Sequence, residues 1–239
     1  MSHAITKALL ATTTALLLAL PAAADGDDDP WRGLNEETHA FNETVDGYVL
    51  EPVAKGYDAV VPEIVQTHVG NFFDNLLVPR TVLNDLLQGD FREGAKHVSR
   101  FVVNTIVGIG GLFDVAGGAG LDHDREDFGQ TLGRWGVAPG PYLVIPLLGP
   151  STVRDAVMLP LDYAANPAFW VNNGAATGGA TALDITNRRA DAIEEIAENR
   201  ANAIDFYVFV RDAYLQNREK NVSEGASPSD DDLYDDEGL

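Results

Sequence analysis

Histidines and carboxylates are the residues of this chain that could most readily do chemistry, as metal ligands or as acids and bases. His39, His68, His97 and His123 are scattered among different segments, whereas a metal site needs several such side chains to converge. His123 has an Asp on each side, but three adjacent residues point in different directions. The pattern therefore favours a polar turn over a metal site at His123.

Glu126 and Asp127 are an adjacent pair of carboxylates that could act in acid–base catalysis. Such pairs are more often solvated or bound to a nearby arginine such as Arg134 or Arg154. The chain has no Gly-x-Ser-x-Gly motif, no P-loop, no His-Glu-x-x-His motif and no Cys. We therefore predict that the protein is not an enzyme and has no catalytic residue, metal or cofactor.

The first 24 residues have the three-part pattern of a secretory signal peptide. Lys7 supplies a positive charge, and residues 8–20 form an apolar run that is too short to span a hydrocarbon core of about 30 Å. Small residues at Ala22 and Ala24 suit cleavage before Asp25. An uncleaved anchor is the alternative, which the short apolar run and its polar interruption disfavour. With no Cys for lipid modification, we expect the exported protein to attach to a membrane noncovalently.

The formal net charge of −21 argues against nucleic acid as a partner and against simple electrostatic docking on anionic lipid, because both need clustered Lys and Arg. Much of the charge lies in acidic runs at the two ends, and the last run also contains Ser, Gly and Pro. Such a composition is typical of disorder. We predict one domain over residues 25–220 and an acidic disordered tail over residues 221–239.

Short amphipathic helices are predicted for most of the domain. Between residues 30 and 88, helical spacing of apolar residues is interrupted by Pro52, Pro62 and Pro79, and we expect Pro79 to force a bend. Gly89 is a plausible helix cap. Residues 182–220 also follow a helical pattern, with a possible break near Asn202. One predicted apolar face contains Leu34, Phe41, Val45 and Tyr48.

Residues 92–121 combine an apolar run with many glycines. A helix containing Arg100 leads into a segment from Ile106 to Val115 that includes Gly110 and Gly111. So many glycines leave few side chains to bury in a segment that is otherwise apolar. Each glycine also destabilises a helix by about 1 kcal/mol relative to alanine. Two interpretations remain open for this hairpin. It is buried with tight glycine packing, or it lies in or against lipid, where small residues allow close helix contact.

Residues 122–155 are rich in Pro and Gly, and we predict an irregular, largely extended loop there, with helix resuming over residues 152–159. In this loop, glycines with a conformationally free backbone lie beside bulky aromatic side chains. This arrangement is suited to a hinge as well as to a static turn. We predict that the loop and the glycine-rich hairpin move against each other as a gate; static packing is an equally supported alternative. The gate or hinge candidates are Gly110, Gly111, Gly133, Trp135, Gly136, Gly140 and Tyr142.

Several phrases of the sequence, in collinear order, resemble the MlaA/VacJ family of outer-membrane phospholipid transport proteins. They include DPWRGLNEETHAFN at residues 29–42, VGNFFDNLLVPRTVLNDLLQGD at 69–90 and EDFGQTLGRWGVAPGPYLVIPLLGPSTVRD at 126–155. Further matching runs lie at residues 49–62, 100–116 and 207–218. No single phrase specifies a chemistry, but their conjunction is specific. The missing Cys is a departure, because many family members are lipoproteins.

The resemblance implies an all-α, single-domain, ring-like protein at the periplasmic face of the outer membrane. Such a protein would remove misplaced phospholipid from the outer leaflet through a polar channel and pass it to a soluble periplasmic carrier. It would maintain lipid asymmetry, often while bound to a trimeric porin. Two alternatives remain open: a scaffolding envelope protein that binds a porin without conducting lipid, and a soluble periplasmic hydrolase, which lacks a recognisable nucleophile.

A phospholipid headgroup that crosses an apolar region must keep hydrogen-bond partners, because an unsatisfied polar group there costs several kcal/mol. We therefore expect the path to be lined by polar residues that lie within or beside the most apolar segments. For each residue, a helix cap or a buried hydrogen bond is the alternative. The lining candidates are Asn71, Asn75, Asn84, Asn104, Arg134 and Arg154.

Overall fold

The structure is a computed structural model that describes residues 29–121, 124–171 and 174–224. The predicted signal peptide, the polar turn at His123 and most of the predicted acidic tail lie outside the described residues. The prediction of an all-α fold is confirmed.

The first half of the chain consists of helices joined by short connections. In chain order these are α1 (Arg32–Val45), a π-helical segment (Asp46–Leu50), α2 (Glu51–Val60), α3 (Glu63–Gln88), α4 (Phe91–Ile106) and the single-turn α5 (Val115–Gly118).

The second half contains a small sheet between helices. Its elements are α6 (Phe128–Arg134), β1 (Tyr142–Ile145), β2 (Gly149–Thr152), α7 (Val153–Ala165), a 3₁₀ turn (Pro167–Trp170), α8 (Gly174–Asp191), α9 (Ile193–Asn202) and α10 (Phe206–Glu224). The break expected near Asn202 is confirmed. The last helix extends to Glu224, four residues beyond the predicted end of the domain at residue 220.

Helix α3 is the central element, because α4, α6, α7, α8 and the 3₁₀ turn all pack against it. The predicted interruption at Pro79 is wrong, since α3 continues through that residue. Proline removes one backbone donor from a helix, and packing on several sides can offset that loss. The helix ends at Gly89, whose φ of +83° and backbone bond to Leu86 form the expected cap.

The segment after α4 is a tight turn held largely by backbone hydrogen bonds. Gly110 donates to the Thr105 carbonyl at 2.9 Å and Gly111 to the Asn104 carbonyl at 2.8 Å. Both glycines have positive φ, as does Ile109 at +55°. The second arm of the glycine-rich hairpin is therefore mostly turn and ends in the single helical turn of α5.

The loop that we expected to be irregular contains a two-stranded antiparallel sheet. Strands β1 and β2 pair with Tyr142 opposite Thr152 and Val144 opposite Pro150. A two-stranded sheet has only edge strands, so Pro150 can occupy β2 without removing a necessary donor. The extended backbone was predicted correctly for these two strands, whereas their pairing was not recognised, and the prediction was wrong for residues 128–134, which form helix α6.

The distribution of polarity is the reverse of that in an ordinary soluble domain. In the described part of the chain, polar and charged residues outnumber hydrophobic ones among the buried side chains. Leu34, Phe41 and Tyr48 of the predicted apolar face are 65%, 50% and 84% exposed, while Asn35 on the same helical segment is 2% exposed. In the described residues, no helix combines the length and the hydropathy needed to cross a membrane.

Gly108 offers a test of the turn after α4. A Cβ at this position would clash with the carbonyl oxygens of Asn104 and Phe113. Because both are backbone atoms, Gly108→Ala must displace the turn, and we expect the free energy of unfolding to fall by about 1–3 kcal/mol in urea titrations. Gly118→Ala is the matched control, since a Cβ there meets nothing within 4 Å. Equal stability of the two variants would contradict this description of the turn.

Candidate functional site

Helices α3 and α4 bury polar faces against each other. The buried residues of α4 are Gly94, His97, Arg100 and Asn104, which recur every three or four residues and therefore share one side of the helix. On α3, Asn75, Asn84 and Asp85 are buried. His97 Nδ1 lies 2.8 Å from Asp85 Oδ2, with both side chains almost fully buried. The interface between these two helices is therefore built around polar contacts.

A small polar cavity lies between α3, α4 and the glycine-rich turn. Its volume is about 60 Å³, which is room for a few water molecules or one phosphate-sized group. Its lining consists of Asn71, Asp74, Asn75, Val78, Arg100, Asn104 and Asp114.

Asp114 ties the glycine-rich turn to one wall of the cavity. Arg100 Nη2 lies 3.0 and 3.1 Å from its two carboxylate oxygens, and Asn104 Nδ2 donates to Asp114 Oδ1 at 2.8 Å. Burial by itself raises the pKa of Asp114, but the Gly117 backbone N–H, Asn104 and Arg100 outweigh it and hold this pKa below its usual value. Asp114 is therefore held as a carboxylate. Asn104 Oδ1 also accepts from the Ala116 backbone N–H at 2.9 Å.

Two asparagines of α3 hold the same turn from the opposite wall. Asn71 Nδ2 donates to the Leu112 carbonyl in the turn at 3.3 Å, and Asn75 Nδ2 donates to Thr105 Oγ1 in the last turn of α4 at 3.1 Å. Gly111 packs so closely on Asn75 that a Cβ would clash with that side chain. The turn is thus fixed on both sides by polar side chains that also line the cavity.

Asp74 completes the lining and connects it to other parts of the chain. Arg125 Nη2 and Arg188 Nη2 donate to Asp74 Oδ1 at 2.6 and 2.9 Å. Arg188 also pairs with Asp184 at 2.8 Å. Burial raises the pKa of Asp184, although Arg188 opposes this shift. The Asp74 carboxylate is therefore neutralised by two arginines on its outer side.

A second polar network joins α6, α7 and α10. Arg218 donates from Nη1 and Nη2 to the Asp127 carboxylate at 2.7 and 2.6 Å, and from Nε to Asp155 Oδ2 at 2.8 Å. Tyr214 donates to the same Asp155 oxygen at 2.8 Å. Burial lowers the pKa of Arg218, but its two carboxylate partners outweigh burial and raise it. This network fixes the C-terminal helix to the core.

The six predicted lining residues divide between different places. Asn71, Asn75 and Asn104 come together at the cavity. Asn84 accepts from Thr131 Oγ1 at 2.7 Å, deep under α6. Arg134 pairs with Glu126 at 3.1 Å, as suggested from the sequence, and Arg154 donates to Asp155 and to the Val137 carbonyl.

The predicted gate residues also occupy several environments. Gly110, Gly111, Gly136 and Gly140 all have positive φ, as in tight turns. Trp135 is 58% exposed, and its Nε1 donates to the Leu87 carbonyl at 3.2 Å. Tyr142 is 1% exposed and packs with Val144 and Tyr207, and burial raises its pKa to about 12. A Cβ at Gly133 would clash with Arg154.

Sequence reasoning missed Arg100, Asp74 and Asp114 as members of the site. A signal for Arg100 was present, because His97, Arg100 and Asn104 recur with the spacing of one helix face. Asp74 carried no such signal, since its partners Arg125 and Arg188 are 51 and 114 residues away. Asp114 meets Asn104 and Arg100, 10 and 14 residues earlier, only because of the turn, whose shape the sequence did not predict. Among the described residues, no group of three or more His, Cys, Asp or Glu side chains could hold a metal ion.

Comparisons with known proteins agree on one family. The family model described as "MlaA lipoprotein" matches residues 27–221. The "Intermembrane phospholipid transport system lipoprotein MlaA" of Escherichia coli strain K12 is 36% identical over 216 residues, which cover 88% of this chain and 85% of that protein. An uncharacterised protein of Rickettsia conorii is 38% identical over 195 residues, which cover 81% of this chain and 78% of the relative.

A solved structure gives the same result at the level of the fold. It is described as "Structural basis for maintenance of bacterial outer membrane lipid asymmetry" and matches with a TM-score of 0.71 at 34% identity. The match covers 81% of this chain and 98% of that structure.

Asp162 on α7 allows a pH test of the second network. Its side chain is about one-tenth exposed, accepts from the Phe128 backbone N–H at 3.1 Å and lies 3.9 Å from Arg80. Burial, and then the neighbouring Asp127 carboxylate, raise its pKa from 3.8 to about 6, although the Phe128 N–H, Arg80 and Arg218 oppose this. The folded protein therefore binds this proton more tightly than the unfolded chain. The resulting stability is present below about pH 4 and lost as the pH rises through about 6.

We expect Asp162→Asn, which keeps an acceptor for Phe128, to remove this dependence. Its free energy of unfolding, relative to the wild type, should rise by about 2 kcal/mol between pH 4 and pH 8, measured by urea titration at each pH. Asp212→Asn controls for the loss of one negative charge, because Asp212 is 45% exposed and its ion pair within the described residues is with its neighbour Arg211. A stability difference that does not vary with pH would show that Asp162 is not held protonated.

Proposed function

This chain belongs to the MlaA family, and we propose that it takes part in phospholipid transport at the outer membrane of a Gram-negative bacterium, where it maintains lipid asymmetry. The Escherichia coli relative is named for intermembrane phospholipid transport, the solved structure is described by outer-membrane lipid asymmetry, and each matches most of the chain. The physical observation that carries the proposal is the reversed polarity of the fold. Exposed apolar side chains surround buried asparagines, aspartates and arginines, which is the arrangement that a protein surrounded by acyl chains requires.

The exposed apolar surface supports an interfacial position at the periplasmic face of the outer membrane. Ile106, Val107 and Ile109 beside the glycine-rich turn are 75%, 62% and 65% exposed, and Trp170 is 71% exposed. Burying such surface in lipid contributes about 25 cal/mol per Å². Lipid contact also accounts for the glycine-rich turn, whose apolar side chains find little cover within the described chain. We thus favour the lipid interpretation of the hairpin over burial within the protein.

The transport step needs a polar path for the headgroup while the acyl chains remain in hydrocarbon. Asn71, Asn75 and Asn104 are grouped at one cavity and are the strongest lining candidates. Asn84, Arg134 and Arg154 remain candidates, although none of them lines this cavity. We further propose export by the signal peptide, delivery of lipid to a soluble periplasmic carrier, and association with a trimeric porin. No covalent step is part of this mechanism, so we propose no catalytic residue.

Deletion of the gene tests the function directly. We expect outer-leaflet phospholipid to rise in the deletion strain, because misplaced lipid is no longer removed, and to fall again when the wild-type gene is restored. The measurement is chemical labelling of surface-exposed aminophospholipid in intact cells. An unchanged outer leaflet in the deletion strain, despite normal export of the restored protein, would favour a scaffolding role without lipid transport.

Substitutions at Asn71 test the polar path. Asn71→Ala should restore the deletion strain partly, whereas Asn71→Phe should fail because it places an apolar ring in the cavity. Thr67→Phe is the matched control, since Thr67 is exposed on the same helix and bonds only to its own helix backbone at 3.0 Å. Full restoration by Asn71→Phe, at normal abundance, would exclude this cavity from the path.

We propose that the glycine-rich turn is the moving part of the gate predicted between this hairpin and the Pro/Gly-rich loop, and a disulfide that ties the turn to α3 tests this. The rings of His68 on α3 and Phe113 in the turn are 4.4 Å apart, and the printed sequence contains no other Cys. We expect the oxidised double variant His68→Cys, Phe113→Cys to fail in lipid removal because the turn can no longer move from α3. The two single variants control for loss of the side chains. Normal lipid removal by the oxidised double variant would mean that this turn does not act as a gate.

A further inference from the structure

Arg100 is a buried cation whose hydrogen-bonding capacity is only partly used. Its side chain is 6% exposed, and Nη2 binds the Asp114 carboxylate. Within the described chain, Nε and Nη1 are buried and have no hydrogen-bond partner. A buried donor without a partner costs about 1–3 kcal/mol, and more when the group is charged. The guanidinium is therefore poised to bind an acceptor that is supplied from outside the chain.

An unused acceptor lines the same cavity. Asn75 is 6% exposed, and its Nδ2 is occupied by Thr105, but its Oδ1 has no partner among the described residues. Unused donors on Arg100 and an unused oxygen on Asn75 thus belong to two residues that line one cavity. A ligand that matches both must present an anionic acceptor and a hydrogen-bond donor.

The charge of the lining narrows the class of ligand further. Asp114 and Asp74 place two carboxylates in the lining; Arg100 binds Asp114, whereas Arg125 and Arg188, which are not lining residues, neutralise Asp74. A simple anion would be attracted by Arg100 but repelled by the Asp114 carboxylate that Arg100 already binds, and it would leave Asn75 Oδ1 without a donor. A ligand with a cationic donor close to its phosphate would satisfy both signs. The cavity volume of about 60 Å³ admits a phosphate-sized group but is too small for acyl chains.

We infer that this cavity binds the headgroup of a zwitterionic phospholipid, with phosphodiester oxygens on Arg100 and the ammonium group on Asn75 Oδ1 and the neighbouring carboxylates. The inference rests on the proposed function for the source of the ligand, and it adds a binding residue, Arg100, and a preference between headgroups. Charged hydrogen bonds of this kind are stronger than neutral ones. The ammonium group distinguishes phosphatidylethanolamine from the anionic phosphatidylglycerol.

Soluble headgroups provide the direct test on the purified full chain. We expect glycerophosphoethanolamine to bind with a dissociation constant on the order of 1 mM, as measured by NMR titration. Glycerophosphoglycerol and inorganic phosphate should bind at least about threefold more weakly, because they lack the ammonium group. Equal affinity for either of these two ligands would overturn the zwitterionic preference and leave at most an anion site. Absence of glycerophosphoethanolamine binding would overturn the inference entirely.

Substitutions assign the binding to this cavity. Arg100→Gln should weaken glycerophosphoethanolamine binding by about tenfold or more. Arg100→Lys keeps the positive charge and should weaken binding less; it is the variant to use if Arg100→Gln fails to fold. Arg189→Gln is the matched control, because Arg189 is 10% exposed, pairs with Asp46, has an unpartnered Nη1 and is not part of the cavity lining. Its affinity should remain that of the wild type. Unchanged affinity in a folded Arg100→Gln protein, or equal losses in the two Gln variants, would exclude Arg100.

Lipid capture by the purified protein and lipid asymmetry in the deletion strain together separate this inference from the proposed function. Nanodiscs that contain phosphatidylethanolamine or phosphatidylglycerol supply the intact lipids, and the wild type should capture the former preferentially. If the protein showed no headgroup preference but the deletion strain still accumulated outer-leaflet phospholipid, the inference would be rejected and the proposed function would be kept. If lipid asymmetry stayed normal in the deletion strain while the purified protein still bound the headgroup, the proposed function would be rejected and the headgroup site would be kept.

Discussion

The constraint on which this structure depends is that buried polar groups need partners. In most soluble domains hydrophobic residues fill the interior, and few polar side chains need to be satisfied there. Here Asn35 donates to Asp29 Oδ1 at 2.7 Å and to the Tyr142 carbonyl at 3.1 Å, and Tyr207 also donates to Asp29. These bonds join the start of α1, strand β1 and α10 across more than 100 positions of sequence. Polar contacts thus specify which elements meet, while the apolar side chains remain available to the surroundings.

Helix α3 brings the separate polar clusters into one structure. Around Asn75 it lies against α4 and the glycine-rich turn, and around Asn84 it lies against α6. These positions are nine residues apart, or about 13 Å along a helix. The cavity therefore has one wall on a long, rigid helix and another on a turn held by a few side-chain bonds. A ligand bound to Arg100, as inferred above, would contact the side chain that holds Asp114 and, through it, the turn.

Periodicity predicted the helices well but did not indicate which face is buried. The spacing of Leu34, Phe41 and Tyr48 identified a real helix face, yet the structure exposes it and buries Asn35. Hydrophobic periodicity identifies the apolar and the polar face of a helix. Which face is buried within the protein depends on whether water or lipid surrounds the protein. The break at Pro79 was wrong because tertiary packing on several sides outweighs the local penalty of proline. Asp127 with Arg218, and Asp74 with Arg188, were beyond sequence reasoning because each pair is separated by about 90 residues or more.

The central claim is that the apolar exterior lies in lipid acyl chains, and Trp170 gives the most direct test. It is 71% exposed between the exposed residues Phe169 and Val171. A variant that retains only this tryptophan, with Trp31→Phe and Trp135→Phe, reports its surroundings when the protein is reconstituted in bilayers. We predict strong fluorescence quenching by phospholipids brominated in the acyl chains and little quenching by aqueous iodide. Efficient quenching by iodide with none by brominated lipid would place this surface in water and contradict the account.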